Sequence, residues 1–167
     1  MEIYLLRHAI AEERDQDKYP DDSKRPLTAK GKKRMRRAAE GMAAAGLSFD
    51  VIYTSPFTRA RQTADIVANV FRAQKKLHET KTLATDGDPE ELIKLVNEMK
   101  GKADSILLVG HEPYLSDLIS VLVTGDSSFT FSMKKGGLCK LVAHTLRYGK
   151  CASMEFLLPP SVSVHLK

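Results

Sequence analysis

The sequence predicts an α/β protein: a three-layer α/β/α sandwich with a mainly parallel central sheet, plus a hairpin-like pair of strands near the C-terminus. Short β-rich runs alternate along the chain with segments whose apolar residues recur at helical spacing. The composition, 43% hydrophobic and 28% charged, is typical of a globular domain. Because 167 residues suffice for one sizeable core but not for two, we expect a single domain over residues 1–167.

The first predicted strand and helix are separated by a polar loop. The run EIYLL (2–6) is the strand, and the polar stretch 11–26 is the longest predicted loop. The helix follows Thr28, which is a favourable N-cap, and Gly46 is a favourable stop. Its apolar face has the i, i+3, i+4, i+7 spacing and consists of Met35, Ala38, Ala39 and Met42.

The second predicted strand, DVIYT (50–54), also leads into a helix. Ser55 is predicted to cap that helix, with Pro56 at its first position. The apolar face of this helix consists of Ala60, Ala64, Val67 and Phe71.

A third helix and the elements after it complete the alternation. Asp88 is the predicted N-cap, Glu91 three residues later resembles a capping box, and Gly101 ends the segment. The remaining predicted elements are a strand at 105–111, a helix at 113–123 and two strands at 137–146 and 151–159, joined by a turn.

Bulk properties favour a reduced, cytoplasmic protein without a membrane span. No apolar stretch approaches the roughly 20 residues that cross a bilayer. The N-terminus lacks the basic-then-apolar order of a secretory signal. The two cysteines, Cys139 and Cys151, lack metal-ligand spacing and are too few for a disulfide scaffold. The formal charge of +5 suits anionic ligands such as phosphates, although many proteins with that charge bind none.

Polar residues with chemical potential follow three of the predicted strands. Arg7 and His8 follow the first, Ser55 and Arg59 the second, and His111 the third. In parallel sheets, ligands bind outside the carboxyl ends of the strands, so these residues are expected to converge. Each of them alone has an ordinary explanation, as a solvated rim residue or a structural histidine. Their joint placement instead favours a pocket for a dianionic phosphoryl group, to which arginine and histidine donate hydrogen bonds.

Three motifs around these residues resemble a known family. LLRHA, SPFTRARQTA and LLVGHEP are similar, in order and spacing, to the signatures of the histidine phosphatase (phosphoglycerate mutase-like) superfamily. The segment RPLTAKG (25–31) and the compact length narrow the resemblance to the SixA-type phosphohistidine phosphatases. The similarity covers residues 1 to about 125 and implies a phosphoglycerate mutase-like fold.

The resemblance implies a role for each residue of the pocket. His8 would be the nucleophile that forms a transient phosphohistidine, while Arg7, Arg59 and His111 would bind and neutralise the phosphoryl oxygens. Ser55 is expected mainly to cap its helix, with a phosphate contact as a second possibility. Fixed cations can stabilise phosphoryl transfer by themselves, so neither a metal nor another cofactor is expected.

The substrate prediction depends on a general acid. Phosphomonoesterases and mutases of this superfamily usually have a carboxylate that protonates the departing alkoxide, and long insertions that cover the substrate. Here only 51 residues separate Arg59 from His111, and Asp86 is a weak candidate for the acid. The resemblance therefore implies hydrolysis of phosphohistidine on a signalling protein, such as a histidine-containing phosphotransfer domain. The alternatives are a small-molecule phosphomonoesterase of the same superfamily and a non-catalytic module that binds phosphoproteins.

Two further features are a departure from the family inside the first motif and a basic run on the first predicted helix. Ala9 occupies a position where the family usually has glycine, which is harmless if the backbone conformation there is ordinary. The basic run KGKKRMRR (30–37) shares a helix with an apolar face, which favours a solvated surface over a nucleic-acid contact. The same face could also attract an acidic partner protein.

Overall fold

The structure is a computed structural model that describes residues 1–166, and its centre is a six-stranded mixed sheet. The strands are β1 (Glu2–Arg7), β2 (Val51–Thr54), β3 (Leu77–Glu79), β4 (Ser105–Gly110), β5 (Leu138–Ala143) and β6 (Ala152–Leu158). The α-helices are α1 (Ala29–Ala44), α2 (Thr58–Val70), α3 (Pro89–Asn97), α4 (Tyr114–Thr124) and α5 (Pro160–Ser163).

The sheet has the order β3-β2-β4-β1-β5-β6. β4 pairs in parallel with β1 on one side and with β2 on the other, and β3 extends the parallel part beyond β2. β5 pairs antiparallel with β1, and β6 antiparallel with β5. The predicted fold, a mainly parallel sheet with a C-terminal pair of antiparallel strands, is therefore confirmed.

Each face of the sheet has its own apolar cluster, as expected when successive side chains of a strand point to opposite faces. In β1, Tyr4 and Leu6 belong to the cluster that contains the buried faces of α1 and α2. Ile3 and Leu5 belong to the cluster that contains the apolar residues of α3 and α4. Helices thus cover both faces of the sheet, which gives the three layers predicted from the sequence.

Local signals set most of the helix boundaries as predicted. The Thr28 hydroxyl accepts a hydrogen bond from the Gly31 N–H, and the Asp88 carboxylate accepts from the N–H groups of Glu90 and Glu91. Thr28 and Asp88 are therefore the N-caps of α1 and α3. Gly46, with φ of +82°, lies just after α1, where the left-handed conformation favours glycine. Strand β3, which was not predicted, has three residues, too few to show a periodic pattern.

Within residues 1–166, no helix combines the length and the apolar character that crossing a membrane requires.

The first turn of α1 packs directly against the chain that follows β1. The Thr28 N–H donates to the Ile10 carbonyl over 3.0 Å. Gly31 lies so close to this segment that a Cβ atom at position 31 would overlap the Ile10 carbonyl oxygen. Glycine is therefore required at position 31 by a backbone approach, and α1 is held close to His8.

Gly31→Ala is expected to destabilise the protein by about 1 to 3 kcal/mol, because the added methyl must displace backbone atoms. The measurement is urea unfolding, with Lys32→Ala at the neighbouring exposed position as the control. Equal stability of the two variants would contradict the close approach.

Candidate active site

The parallel pairing of β4 brings the predicted residues together. In the register of the sheet Arg7 lies opposite Gly110, and the next residue, His8, donates its backbone N–H to the Gly110 carbonyl over 3.0 Å. On the other side of β4, the Ser55 N–H donates to the Val109 carbonyl, also over 3.0 Å. The rings of His8 and His111 are consequently close, with centroids 5.2 Å apart. The expected convergence of the strand ends is observed.

The tautomer of His8 is set by its neighbour. His8 is buried, and its Nδ1 lies 2.8 Å from the Ala9 carbonyl oxygen. Since a carbonyl oxygen only accepts hydrogen bonds, Nδ1 carries the hydrogen of the neutral ring, and Nε2 keeps a lone pair. Ala9 itself has no positive φ, and its N–H donates to the Thr63 hydroxyl, so its methyl group causes no backbone strain.

Ser55 contacts His111, which corrects its predicted role. The N-cap of α2 is Phe57, without a side-chain hydrogen bond, so neither Ser55 nor Pro56 holds the expected helix position. The Ser55 hydroxyl instead lies 2.8 Å from His111 Nε2 and accepts from the Phe57 N–H. If Ser55 donates its hydrogen to Nε2, the neutral ring carries its own hydrogen on Nδ1. Ser55 thus orients His111 because two strand ends meet there.

The two arginines are held through some of their nitrogens and leave others without a partner. Arg7 Nη1 donates to the Met133 carbonyl, and Arg59 Nη1 and Nη2 contact the Asp22 carbonyl and carboxylate over 2.8 and 3.1 Å. Within residues 1–166, four buried side-chain polar atoms lack a hydrogen-bond partner. They are Arg7 Nε, Arg59 Nε, His111 Nδ1 and the Tyr114 hydroxyl.

Three of these four atoms belong to the predicted pocket. A buried donor without a partner costs about 1 to 3 kcal/mol, so proteins rarely leave several together. Nitrogen donors of this kind suit the oxygens of a phosphoryl group. The arrangement can therefore bind a tetrahedral oxyanion next to the unprotonated Nε2 of His8.

Burial keeps both histidines neutral. Loss of solvation is the main cause that lowers the pKa of His8 to about 3, and the charges of Arg59 and Arg7 act in the same direction, against the hydrogen bond to Ala9. Loss of solvation also lowers the pKa of His111 to about 3, with His8 and Arg59 as further causes. At neutral pH, His8 is thus available as a nucleophile.

Asp22 and Arg25, in the loop before α1, complete the site and were not predicted from the sequence. Asp22 binds Arg59 and also accepts from Arg25 Nε over 2.8 Å. Partial burial raises the pKa of Asp22, but the hydrogen bond from Arg25 and the charge of Arg59 outweigh it and lower the pKa to about 2. Asp22 is therefore a carboxylate that positions Arg59.

Asp86, the candidate acid, lies at the side of the site. It is exposed and lines an open groove together with Phe57, whose ring centroid lies 5.0 Å from that of His111. No hydrogen bond or ion pair joins Asp86 to the described residues of the pocket. The groove begins beside the phosphoryl pocket and can accept the rest of a substrate.

The fold and the site together define an α/β protein in which a buried, neutral histidine lies beside two guanidinium groups. The chain belongs to the histidine phosphatase superfamily (branch 1), whose family model matches residues 3–99. The matched region includes Arg7, His8 and Arg59, while His111 lies beyond it.

The chain is also similar to individual proteins. An uncharacterized protein of Picosynechococcus sp. is 35% identical over 161 residues, which cover 95% of this chain and 94% of the relative. The structure of the protein histidine phosphatase SixA complexed with tungstate has a TM-score of 0.82 and 21% identity, covering 97% of this chain and 99% of SixA. The alpha-ribazole phosphatase from Shigella flexneri has a TM-score of 0.71 and 18% identity, covering 96% and 97% of the two chains. The phosphoglycerate mutase-like fold is thereby confirmed.

The lowered pKa of His8 predicts a loss of stability in acid. Below about pH 6.5 the unfolded chain takes up a proton on His8 that the folded protein does not take up until near pH 3. The free energy of unfolding should therefore fall from pH 7 to pH 5, and the fall should be about 2 kcal/mol smaller in His8→Ala. Denaturant unfolding at the two pH values measures this, and identical falls in both proteins would contradict burial of a neutral His8.

Ser55→Ala should reduce catalysis without unfolding the protein. His111 would lose the group that orients its ring, and we expect kcat/KM to fall about tenfold, which corresponds to about 1.4 kcal/mol. Ser163→Ala, which removes another buried hydroxyl in α5, is the matched control and should keep kcat/KM. Equal activities of the two variants would show that the contact with His111 does not matter.

Proposed function

We propose that this protein is a phosphatase that hydrolyses phosphohistidine on another protein through a phosphorylated His8. The observation that carries the proposal is the hydrogen bond from His8 Nδ1 to the Ala9 carbonyl, which leaves Nε2 as the nucleophilic nitrogen beside unpartnered cationic donors. Membership of the histidine phosphatase superfamily supports the same assignment.

In the first step, the lone pair of His8 Nε2 attacks phosphorus, and the bond from phosphorus to the substrate nitrogen breaks. The hydrogen on Nδ1 stays in place, and its bond to Ala9 strengthens as the phosphorylated ring becomes cationic. Arg7 and Arg59 stabilise the charge on the phosphoryl oxygens, and His111 Nδ1 provides a further hydrogen bond when it carries the ring hydrogen.

In the second step, water attacks phosphorus and the bond to His8 Nε2 breaks. Both electrons of that bond return to Nε2, so the ring is neutral again. The hydrogens of the water leave with the inorganic phosphate or pass to the solvent. The site thus returns to its starting state without any other reactant.

The carboxylates of the site favour a nitrogen leaving group. Asp22 has a pKa of about 2 and cannot donate a proton at neutral pH, and Asp86 is exposed to solvent. An alkoxide needs such a proton, whereas a phosphoimidazole protonated on its second nitrogen departs as neutral imidazole. The fold shared with the protein histidine phosphatase SixA supports the same substrate class.

A small-molecule phosphomonoesterase is the second candidate. The groove lined by Asp86 and Phe57 could accept the organic part of a phosphate ester, with Asp86 as its acid. The Shigella flexneri alpha-ribazole phosphatase, which has a similar fold, supports this candidate.

The two candidates are separated by their substrates. We expect a phosphorylated histidine-containing phosphotransfer domain to be hydrolysed with a kcat/KM at least about tenfold above that of small phosphate esters. The reason is that the site has no positioned general acid to protonate a departing alkoxide. Asp86→Asn should leave hydrolysis of the phosphorylated domain unchanged. Faster turnover of the esters, or loss of activity in Asp86→Asn, would favour the phosphomonoesterase.

Formation of a phosphorylated His8 distinguishes an enzyme from a protein that only binds phosphoproteins. His8→Ala should lower turnover by at least about a thousandfold while keeping the melting temperature near that of the wild type. Rapid quenching of the wild type with ³²P-labelled substrate should give an acid-labile adduct on His8. A protein that binds the phosphorylated domain but forms neither adduct nor phosphate would be a binding module.

A further inference from the structure

The net charge of the protein lies on one helix. α1 contains six of the 26 basic residues and one of the 21 acidic residues, so its formal charge of +5 equals that of the chain. The rest of the chain has 20 residues of each sign. Among residues 1–166, none of the six cations takes part in a salt bridge or a side-chain hydrogen bond. They are Lys30, Lys32, Lys33, Arg34, Arg36 and Arg37.

This arrangement is unfavourable for the helix itself. Lys30 and Arg34, and likewise Lys33 and Arg37, are like charges four residues apart, and such pairs repel on a helix surface. The first turn of α1 has no acidic residue to complement the positive end of the helix dipole. Some surface cations elsewhere are paired: Arg61, for example, contacts both Asp65 and Glu79. Because these charges repel one another and do not stabilise α1, their concentration there indicates a binding role.

Four of the cations form a surface that continues to the active site. Lys30, Lys33, Arg34 and Arg37, here called the basic face, line one groove on α1. Arg34 also lines a small hollow with Ala9 and Lys135. Lys135 is exposed, and its positive charge contributes to the low pKa of His8. Positive charge thus extends from α1 to the edge of the pocket.

We propose that the basic face docks an acidic surface of the phosphorylated partner protein while the partner's phosphorylated side chain enters the pocket of His8. This docking role rests on the proposed function and adds the chemistry by which the partner is recognised.

The dimensions favour a macromolecular partner. From Lys30 to Arg37 the helix rises by about 10 Å, so a small phosphate ester bound at His8 cannot contact the whole basic face. A folded protein with exposed carboxylates can span both His8 and the basic face. Charges at the edge of an interface mainly accelerate encounter and orient the partners, and their effect weakens as salt increases.

The experiment compares two variants of equal net charge. The basic-face variant carries Lys30→Gln, Lys33→Gln, Arg34→Gln and Arg37→Gln. The matched control carries Lys75→Gln, Lys94→Gln, Lys102→Gln and Lys150→Gln, four exposed cations outside α1. kcat and KM are measured at about 20 and 300 mM salt for a phosphorylated phosphotransfer domain with an acidic face and for phosphoimidazole.

We expect the basic-face variant to lose about tenfold or more in kcat/KM for the phosphorylated domain at low salt, mainly through KM. Its turnover of phosphoimidazole should match that of the wild type, and its melting temperature should be equal or higher. The control variant should stay within about threefold of the wild type for both substrates. The salt dependence seen with the wild type should disappear only in the basic-face variant.

Other outcomes would overturn the proposal. Equal losses in both variants would show a general effect of net charge, and no loss in either would show that the basic face is unused. Binding of phosphatidylserine vesicles or duplex DNA that depends on the basic face, with unchanged kinetics for the phosphorylated domain, would assign the face to those ligands. Wild-type protein that hydrolyses neither substrate would refute the proposed function and the docking role together, whereas the preceding outcomes leave the function intact.

Discussion

The parallel pairing of β4 with β1 on one side and β2 on the other is the constraint on which the active site depends. Residues 8, 55 and 111 are far apart in the chain, and each directly follows a strand. Backbone hydrogen bonds from His8 to Gly110 and from Ser55 to Val109 continue the sheet by one residue and bring these positions side by side. The hydrophobic clusters on both faces hold the three strands in this register, so the core of the protein and the geometry of the site are fixed by the same contacts.

Within that frame, the site combines two requirements that ordinarily oppose each other. Binding a phosphoryl group calls for positive charge, whereas a histidine nucleophile has to be neutral. The guanidinium groups of Arg7 and Arg59 provide the charge, and burial beside them disfavours protonation of the two imidazoles. The carbonyl of Ala9 then selects which nitrogen of His8 keeps its lone pair. Charge, desolvation and one backbone acceptor together keep the ring neutral with a lone pair on Nε2, as the proposed mechanism requires.

Much of this arrangement could be predicted from the sequence, and the exceptions have physical reasons. Strand and helix signals are local, so the parallel strands and the caps at Thr28 and Asp88 were predictable, and convergence of Arg7, His8 and His111 followed from the geometry of parallel sheets. A serine followed by proline is typical of a helix N-cap, so the local sequence favours that role for Ser55. Its actual role depends on a contact with His111, 56 residues away, which the local sequence does not reveal. The polar stretch 11–26 contains six acidic residues, and no pattern marks Asp22 as the partner of Arg59.

In the proposed reaction, the contact of Asp22 with Arg59 affects how the product leaves. Inorganic phosphate is itself a tetrahedral anion, and two unopposed guanidinium groups in a desolvated pocket would retain it strongly. The carboxylate of Asp22, which is bound to Arg59 Nη2, offsets part of that attraction. Release of product limits the turnover of many enzymes, so a built-in anion that weakens retention of phosphate favours rapid recycling of the site.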